Sequence, residues 1–214
     1  MTVHDFHYVP RRKAQPIKAE LYEILHEVQN LVRDYFTFQF TPVGSSTRNM
    51  ITRDAKSNIG FDFDINIEIN DDEEEFSPKE IRTILRNAID RVAPRYGYKY
   101  CEDSTRVLTI KKVNYSTSCI IHSCDFAVVH NCKDGKQQYI RFNKKQHRYS
   151  WEFQSKSFTE LGRRIDWLKK NDLWGELREY YIFKKNNNDN PDKHSRSIFA
   201  ESINEMCRKY GYRN

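Results

Sequence analysis

Ten consecutive residues, Gly60-Phe-Asp-Phe-Asp-Ile-Asn-Ile-Glu-Ile69, alternate between apolar and polar side chains without a break after the glycine. A period of two is the pattern of a β-strand, because successive side chains leave opposite faces of the pleat. Phe61, Phe63, Ile65, Ile67 and Ile69 therefore share one face, and Asp62, Asp64, Asn66 and Glu68 share the other. The apolar face has to be covered by another layer of structure. The acidic face poses a separate question. Two carboxylates at i and i+2 set two hard oxygen ligands side by side, which suits Mg²⁺, yet the polar outer face of an antiparallel strand accounts for the same pair.

Material to cover the apolar face lies upstream. Ile17, Leu21, Ile24, Leu25, Val28, Leu31 and Val32 recur at helical spacing, so a helix of about five turns is expected after Pro16, with its stripe packed on a sheet. Residues 35–44 alternate aromatic and polar and then meet Pro42 and Gly44, the mark of a strand that ends in a tight turn at Gly44-Ser45-Ser46. The acidic run Asp71 to Glu75 reads as a solvated loop rather than a metal site. After it, Ser77, Pro78 and Glu80 form a capping box that predicts a helix from Pro78 to Val92. Two further strands are expected, Arg106 to Val113 and Cys119 to His130, and Asp125 falls in the middle of the second. Residues 138–142 and 148–153 read as a hairpin turning at 143–147. Beyond Ser155 the spacing becomes helical, through Leu161, Ile165 and Leu168 and then Leu173, Leu177, Tyr180 and Tyr181. An exposed Asn-rich loop over 184–191 and a last helix from Arg196 to Tyr210 complete the chain. The expected organisation is an α+β core over residues 1–153 followed by a helical region over 154–214.

Composition narrows the setting. No apolar run approaches the roughly 20 residues that span a bilayer, and the first residues lack the basic and then apolar segments of a secretory signal, so a cytoplasmic protein that does not enter a membrane is expected. Five cysteines without a CxxC pair argue for reduced thiols. The net charge of +6, spread over several segments, suits a phosphate-rich ligand.

Three features bear on the acidic pair. The Gly44-Ser45 turn offers backbone N–H groups and a hydroxyl to phosphate oxygens. Asp125 is a lone carboxylate in a run otherwise fit for a buried strand, and a buried carboxylate needs a partner such as a metal cation. The order is phosphate turn, paired acids, helix, strand, third acid. In these motifs, Gly44-Ser45, Asp62-Phe-Asp64 and Asp125, the sequence resembles the DNA polymerase beta-type nucleotidyltransferase superfamily over about residues 17 to 130. The likeness is greatest to the bacterial branch related to cyclic-oligonucleotide synthases and oligoadenylate synthases. The resemblance implies a mixed β-sheet flanked by helices and two Mg²⁺ (or Mn²⁺) ions bridged by Asp62 and Asp64. Asp125 would bind the ion that activates the acceptor hydroxyl, and Gly44 and Ser45 would hold the phosphates of a nucleoside triphosphate. It also implies further phosphate contacts from Lys169, in Arg164-Ile-Asp-Trp-Leu-Lys-Lys170, and from Ser197, in Ser197-Ile-Phe-Ala-Glu201. The branch's G-S-x-x-x-G-T is Gly44-Ser-Ser-Thr-Arg-Asn-Met50 here, without the second glycine.

The activity so implied is transfer of a nucleoside monophosphate from a triphosphate to a hydroxyl, with a nucleotide or an RNA end favoured as acceptor, in a setting of antiviral defence and with a regulatory protein partner. A toxin-type transferase acting on tRNA, a resistance-type transferase acting on a small molecule, and a non-catalytic nucleotide-binding protein of the same fold would share these motifs. A metal-dependent nuclease also groups carboxylates, but the Gly44-Ser45 turn favours the transferase. His122, Cys124, His130 and Cys132 are residue types that bind zinc, but same-face residues of a strand are about 6.5 to 7 Å apart, so His122 and His130 cannot share one ion. Buried cysteines and edge histidines are the expected reading there. Basic and aromatic residues from Tyr139 to Trp151 suit a surface for single-stranded nucleic acid as well as a plain hairpin.

Overall fold

A computed structural model describes residues 4–71, 74–154 and 157–213. The chain order is β1 (Phe6–Tyr8), α1 (Arg11–Val32), β2 (Thr37–Val43), a 3₁₀ turn (Ser46–Arg48), β3 (Thr52–Asp54), β4 (Phe61–Asn70), α2 (Pro78–Val92), β5 (Glu102–Asp103), β6 (Leu108–Asn114), β7 (Cys119–Asn131), β8 (Gln137–Asn143) and β9 (Arg148–Phe153). Three helices follow, α3 (Ser157–Lys170), α4 (Trp174–Asn186) and α5 (Ser195–Lys209). The fold is α+β, as the alternation and the helical stripes imply.

Seven strands make one mixed sheet in the order β2-β4-β7-β6-β5, with β8 on β7 and β9 on β8. β4 and β7 run parallel at its centre, and their neighbours β2 and β6 are antiparallel to them. The apolar face of β4 is buried throughout, from Phe61 to Ile69. Leu21, Ile24, Leu25 and Val28 of α1 and Ile81, Leu85 and Ile89 of α2 belong to the same core, joined by Cys124, Phe126 and Val128 of β7 and Leu108 and Ile110 of β6. Burying each such side chain contributes about 1.5–3 kcal/mol, so this helix-covered face is the main source of stability. Close strand contact requires Gly60, where an added Cβ would lie 2.0 Å from the carbonyl oxygen of Ile121.

The elements depart from expectation at several ends. α1 starts at Arg11 and contains Pro16, instead of starting after it. Pro16 is exposed and close to the helix start, so the carbonyl it leaves without a donor is open to water. α2 starts where expected: Ser77 accepts from the Glu80 N–H at 3.3 Å, and the Glu80 carboxylate accepts from the Ser77 N–H at 2.9 Å. Of the acidic run, Asp71 accepts from the N–H groups of Glu75 and Phe76, while Asp72 and Glu73 lie outside the described residues. His122 is no edge histidine: it is buried in central β7 against Tyr98, with Nε2 and the phenol oxygen 2.9 Å apart. Burial pushes its pKa down to about 4, helped by Lys112 and opposed by Glu20.

The chain divides into two compact units. One is the sheet with α1 and α2, residues Tyr8–Ile51 and Asn58–Gln154. The other gathers α3, α4 and α5 with the described residues of Met1–His7 and with Thr52–Ser57. In that second unit α4 continues to Asn186, through the start of the expected loop at Lys184. Lys185 is buried, its ammonium 3.7 Å from the Phe6 ring centroid and hydrogen-bonded to Thr52 Oγ1 at 2.7 Å. These partners lie far back in the chain, beyond the reach of local composition. Among the described residues no helix is long and apolar enough to cross a membrane, and the cysteines are free.

Arg82 of α2 is fully buried and ion-paired with Asp103, and it donates to the carbonyls of Ser104 at 3.0 Å, Val107 at 3.1 Å and Ile140 at 3.3 Å. It fastens α2 to the β5–β6 turn and to β8. Arg82→Ala leaves Asp103 without its cation and is expected to cost about 3–5 kcal/mol. Urea unfolding of the two proteins measures this, and a loss below about 1 kcal/mol would contradict the role.

Candidate active site

Strand alternation turns Asp62 and Asp64 away from the core, and register supplies their neighbours. Asp64 stands opposite Asp125 across the parallel β4–β7 pair, and Asp62 stands opposite Ser123. On the far side of β7, Thr109 of β6 faces Asp125 and Lys111 faces Ser123. Glu102 of β5 faces Thr109 in turn. Two cross-sheet rows result, Glu102–Thr109–Asp125–Asp64–Val43 and Lys111–Ser123–Asp62. Neighbouring strands lie about 4.8 Å apart, which makes the carboxylates of Asp64 and Asp125 close neighbours.

The turn after β2 lies against this array. Val43 pairs with Asp64, and Gly44 follows with φ of +68°. A Cβ on Gly44 would sit 2.3 Å from Asp64 Oδ2, so only glycine lets the turn press on that carboxylate. The turn closes on itself: Ser46 Oγ donates to the Val43 carbonyl and Thr47 Oγ1 to the Gly44 carbonyl, both at 3.0 Å, and the Met50 N–H donates to the Ser45 carbonyl at 2.9 Å. The half-exposed Ser45 side chain does not cap the 3₁₀ turn.

Electrostatics mark the row. Burial pushes the Asp64 carboxyl up to about 6, the charges of Asp125 and Asp62 add to the rise, and Arg48 opposes it. Burial also raises Asp125; the hydrogen bond from Thr109 at 2.6 Å opposes that, Asp62 adds to it, Lys111 opposes it and Glu102 adds to it. Ser123 donates to Asp62. Lys111 pairs with Glu102 at 2.6 Å on the same face. Such mutual repulsion is what a divalent cation relieves, and an all-oxygen donor set is the chemistry that Mg²⁺ or Mn²⁺ prefers. Among the described residues no group of three or more His, Cys, Asp or Glu side chains is arranged as it stands to hold a metal ion, so an ion bound here would take part of its shell from other oxygens.

Of the residues singled out in the sequence, Gly44, Ser45, Asp62, Asp64 and Asp125 come together in the sheet unit. Lys169 and Ser197 belong to the helical unit. Lys169 is exposed, its ammonium 5.0 Å from the Trp174 ring centroid, and Ser197 lies exposed in the first turn of α5. Thr109, Ser123, Lys111, Glu102 and Arg48 were not foreseen around the acids. Ser123 alone had a local signal, its position two residues before Asp125 on the same strand face.

The raised pKa of Asp64 predicts a pH dependence of stability. Between its ordinary value of 3.8 and about 6 the folded protein binds more protons than the unfolded chain, so this group lowers stability as pH rises through that window. Asp64→Asn should therefore unfold at higher urea than the parent at pH 7.5, with the advantage vanishing below pH 4. No gain at pH 7.5 would contradict the burial and repulsion assigned to Asp64.

No protein-family model matches the sequence, and no curated protein matches it. Solved structures do match. The GTP-bound form of Vibrio cholerae DncV aligns with 86% of this chain at 18% identity and a TM-score of 0.58, and this chain spans 50% of its length. Vibrio cholerae DncV, described as a cyclic AMP-GMP synthase and a prokaryotic cGAS homolog, aligns with 92% of the chain at 13% identity and a TM-score of 0.62, over 67% of its own length. The 3'-deoxy GTP-bound form of Escherichia coli DncV aligns with 94% at 15% identity and a TM-score of 0.58, over 54% of its length. The fold is similar to that of these DncV structures, of whose length the chain spans between half and two thirds.

Proposed function

We propose that this chain transfers a nucleotidyl group from a nucleoside triphosphate to a hydroxyl acceptor, with Asp62, Asp64 and Asp125 holding two divalent ions. The observation that carries this reading is the register: Asp64 opposite Asp125 on parallel strands, Asp62 beside them, and the Gly44 turn pressed on Asp64. Bound Mg²⁺ or Mn²⁺ would neutralise the triphosphate and the leaving pyrophosphate and lower the pKa of the attacking hydroxyl.

The chain's own groups have distinct tasks in this reading. Gly44 and the N–H groups after it receive phosphate oxygens, with the Ser45 hydroxyl beside them. Gly44 lets that cradle touch the acids, so donor phosphates and metal ligands share one surface. Asp125 stands on the side of the row away from the turn, where an acceptor hydroxyl would enter. Lys169 and Ser197 are assigned as further phosphate contacts on the family resemblance.

The preferred acceptor is another nucleotide or an RNA end. One of the similar structures, Vibrio cholerae DncV, is a complex with the linear intermediate 5' pppA(3',5')pG, a product of joining two nucleotides. The exposed basic residues Lys144, Lys145 and Arg148 at the β8–β9 turn suit a polyanionic acceptor too.

The test is incubation with each α-labelled NTP, Mg²⁺ or Mn²⁺ and total RNA, followed by product separation. Label should enter an oligonucleotide or RNA, and the Asp62→Ala/Asp64→Ala protein should lose at least about 10²–10³-fold of that rate while still folding. Equal activity of the double variant would overturn the assignment of the acids. Label appearing only in a small non-nucleotide product would redirect it to a different acceptor.

A further inference from the structure

Asp62 and Asp125 are each engaged by a hydroxyl from the neighbouring strand. Thr109 Oγ1 donates to Asp125 Oδ1 at 2.6 Å, and Ser123 Oγ donates to Asp62 Oδ1. Both donors stand directly opposite their acceptors in the ladder, Thr109 across antiparallel β6 and β7, Ser123 across β7 and β4. Backbone register therefore sets these contacts, so neither depends on the rotamer of a long, mobile side chain. Ser123 is 7% exposed, which leaves its hydroxyl little competition from water. In both acids the hydrogen bond falls on Oδ1, and Oδ2 receives none among the described residues.

The chemistry of the donor matters. A lysine or arginine at either position would cancel the charge that a cation needs. A hydroxyl orients the carboxylate and leaves its charge in place. Three acids that repel one another would otherwise turn apart, and the energy of bringing them back would be subtracted from ion affinity.

We propose that Thr109 and Ser123 are positioning residues, holding the carboxylates of Asp125 and Asp62 with Oδ2 free for an incoming divalent cation. The proposal rests on the ion-dependent reading above and concerns residues that the family motif does not include. Groups that orient metal ligands in this way typically change metal affinity about 10- to 100-fold when removed.

Titration of the purified protein with Mn²⁺ alone, followed by water-proton relaxation, reads affinity without turnover. Thr109→Val keeps the side-chain shape and should weaken Mn²⁺ binding about 10- to 100-fold, and Thr109→Ser should restore it. Ser123→Ala asks the same of Asp62, so the question is answered even where one variant fails to fold. Asp64→Ala serves as the control that loses a ligand. Binding lost in Asp64→Ala but unchanged in Thr109→Val and Ser123→Ala would overturn the proposal and leave the proposed function standing. A parent protein that binds no Mn²⁺ would overturn both.

Discussion

Like charges held one strand apart are the constraint around which this sheet is built. Asp64 faces Asp125 because β4 and β7 run parallel in a fixed register, and that register is enforced from the opposite face. Phe61, Phe63, Ile65 and Ile67 lie in one core with Phe126 and Val128, under α1 and α2. Slipping β4 by one residue would drive Asp62 and Asp64 into that core and expose its aromatic residues, an exchange costing many times the repulsion it relieved. Apolar burial thus fixes the geometry of charges it never touches.

The same logic explains why the acids are flanked by small groups. Gly44 brings the backbone against Asp64 where any Cβ would collide, and Thr109 and Ser123 meet Asp125 and Asp62 with short hydroxyls. Two cations oppose the repulsion in part, Arg48 of the turn acting on Asp64 and Lys111, which also pairs with Glu102, acting on Asp125. Charge on this surface is left under-compensated, which is costly in the free protein and useful when a ligand brings positive charge.

Much of this was legible in the sequence because it was periodic or punctuated. Alternation in β4, the capping box of α2 and the glycine turn each carry a local physical cause, and all three lie where they were read. Asp125 was legible as an isolated charge in an apolar run. What escaped notice depends on pairing between distant segments. Thr109 and Ser123 are ordinary strand residues until β6, β7 and β4 are laid side by side. The helical start at Arg11 and the continuation of α4 to Asn186 go against local signals, Pro16 in one case and a run of lysine and asparagine in the other, and tertiary contacts such as Phe6 and Thr52 on Lys185 prevail.

The unit to which Lys185 belongs is assembled from three separate stretches of chain, so the polypeptide passes between the two units four times. No single proteolytic cut releases the helical unit whole, because residues 4–7 and 52–57 remain covalently attached to the sheet. Removing the last sixty residues takes Lys185 away and leaves Phe6 and Thr52 without that partner.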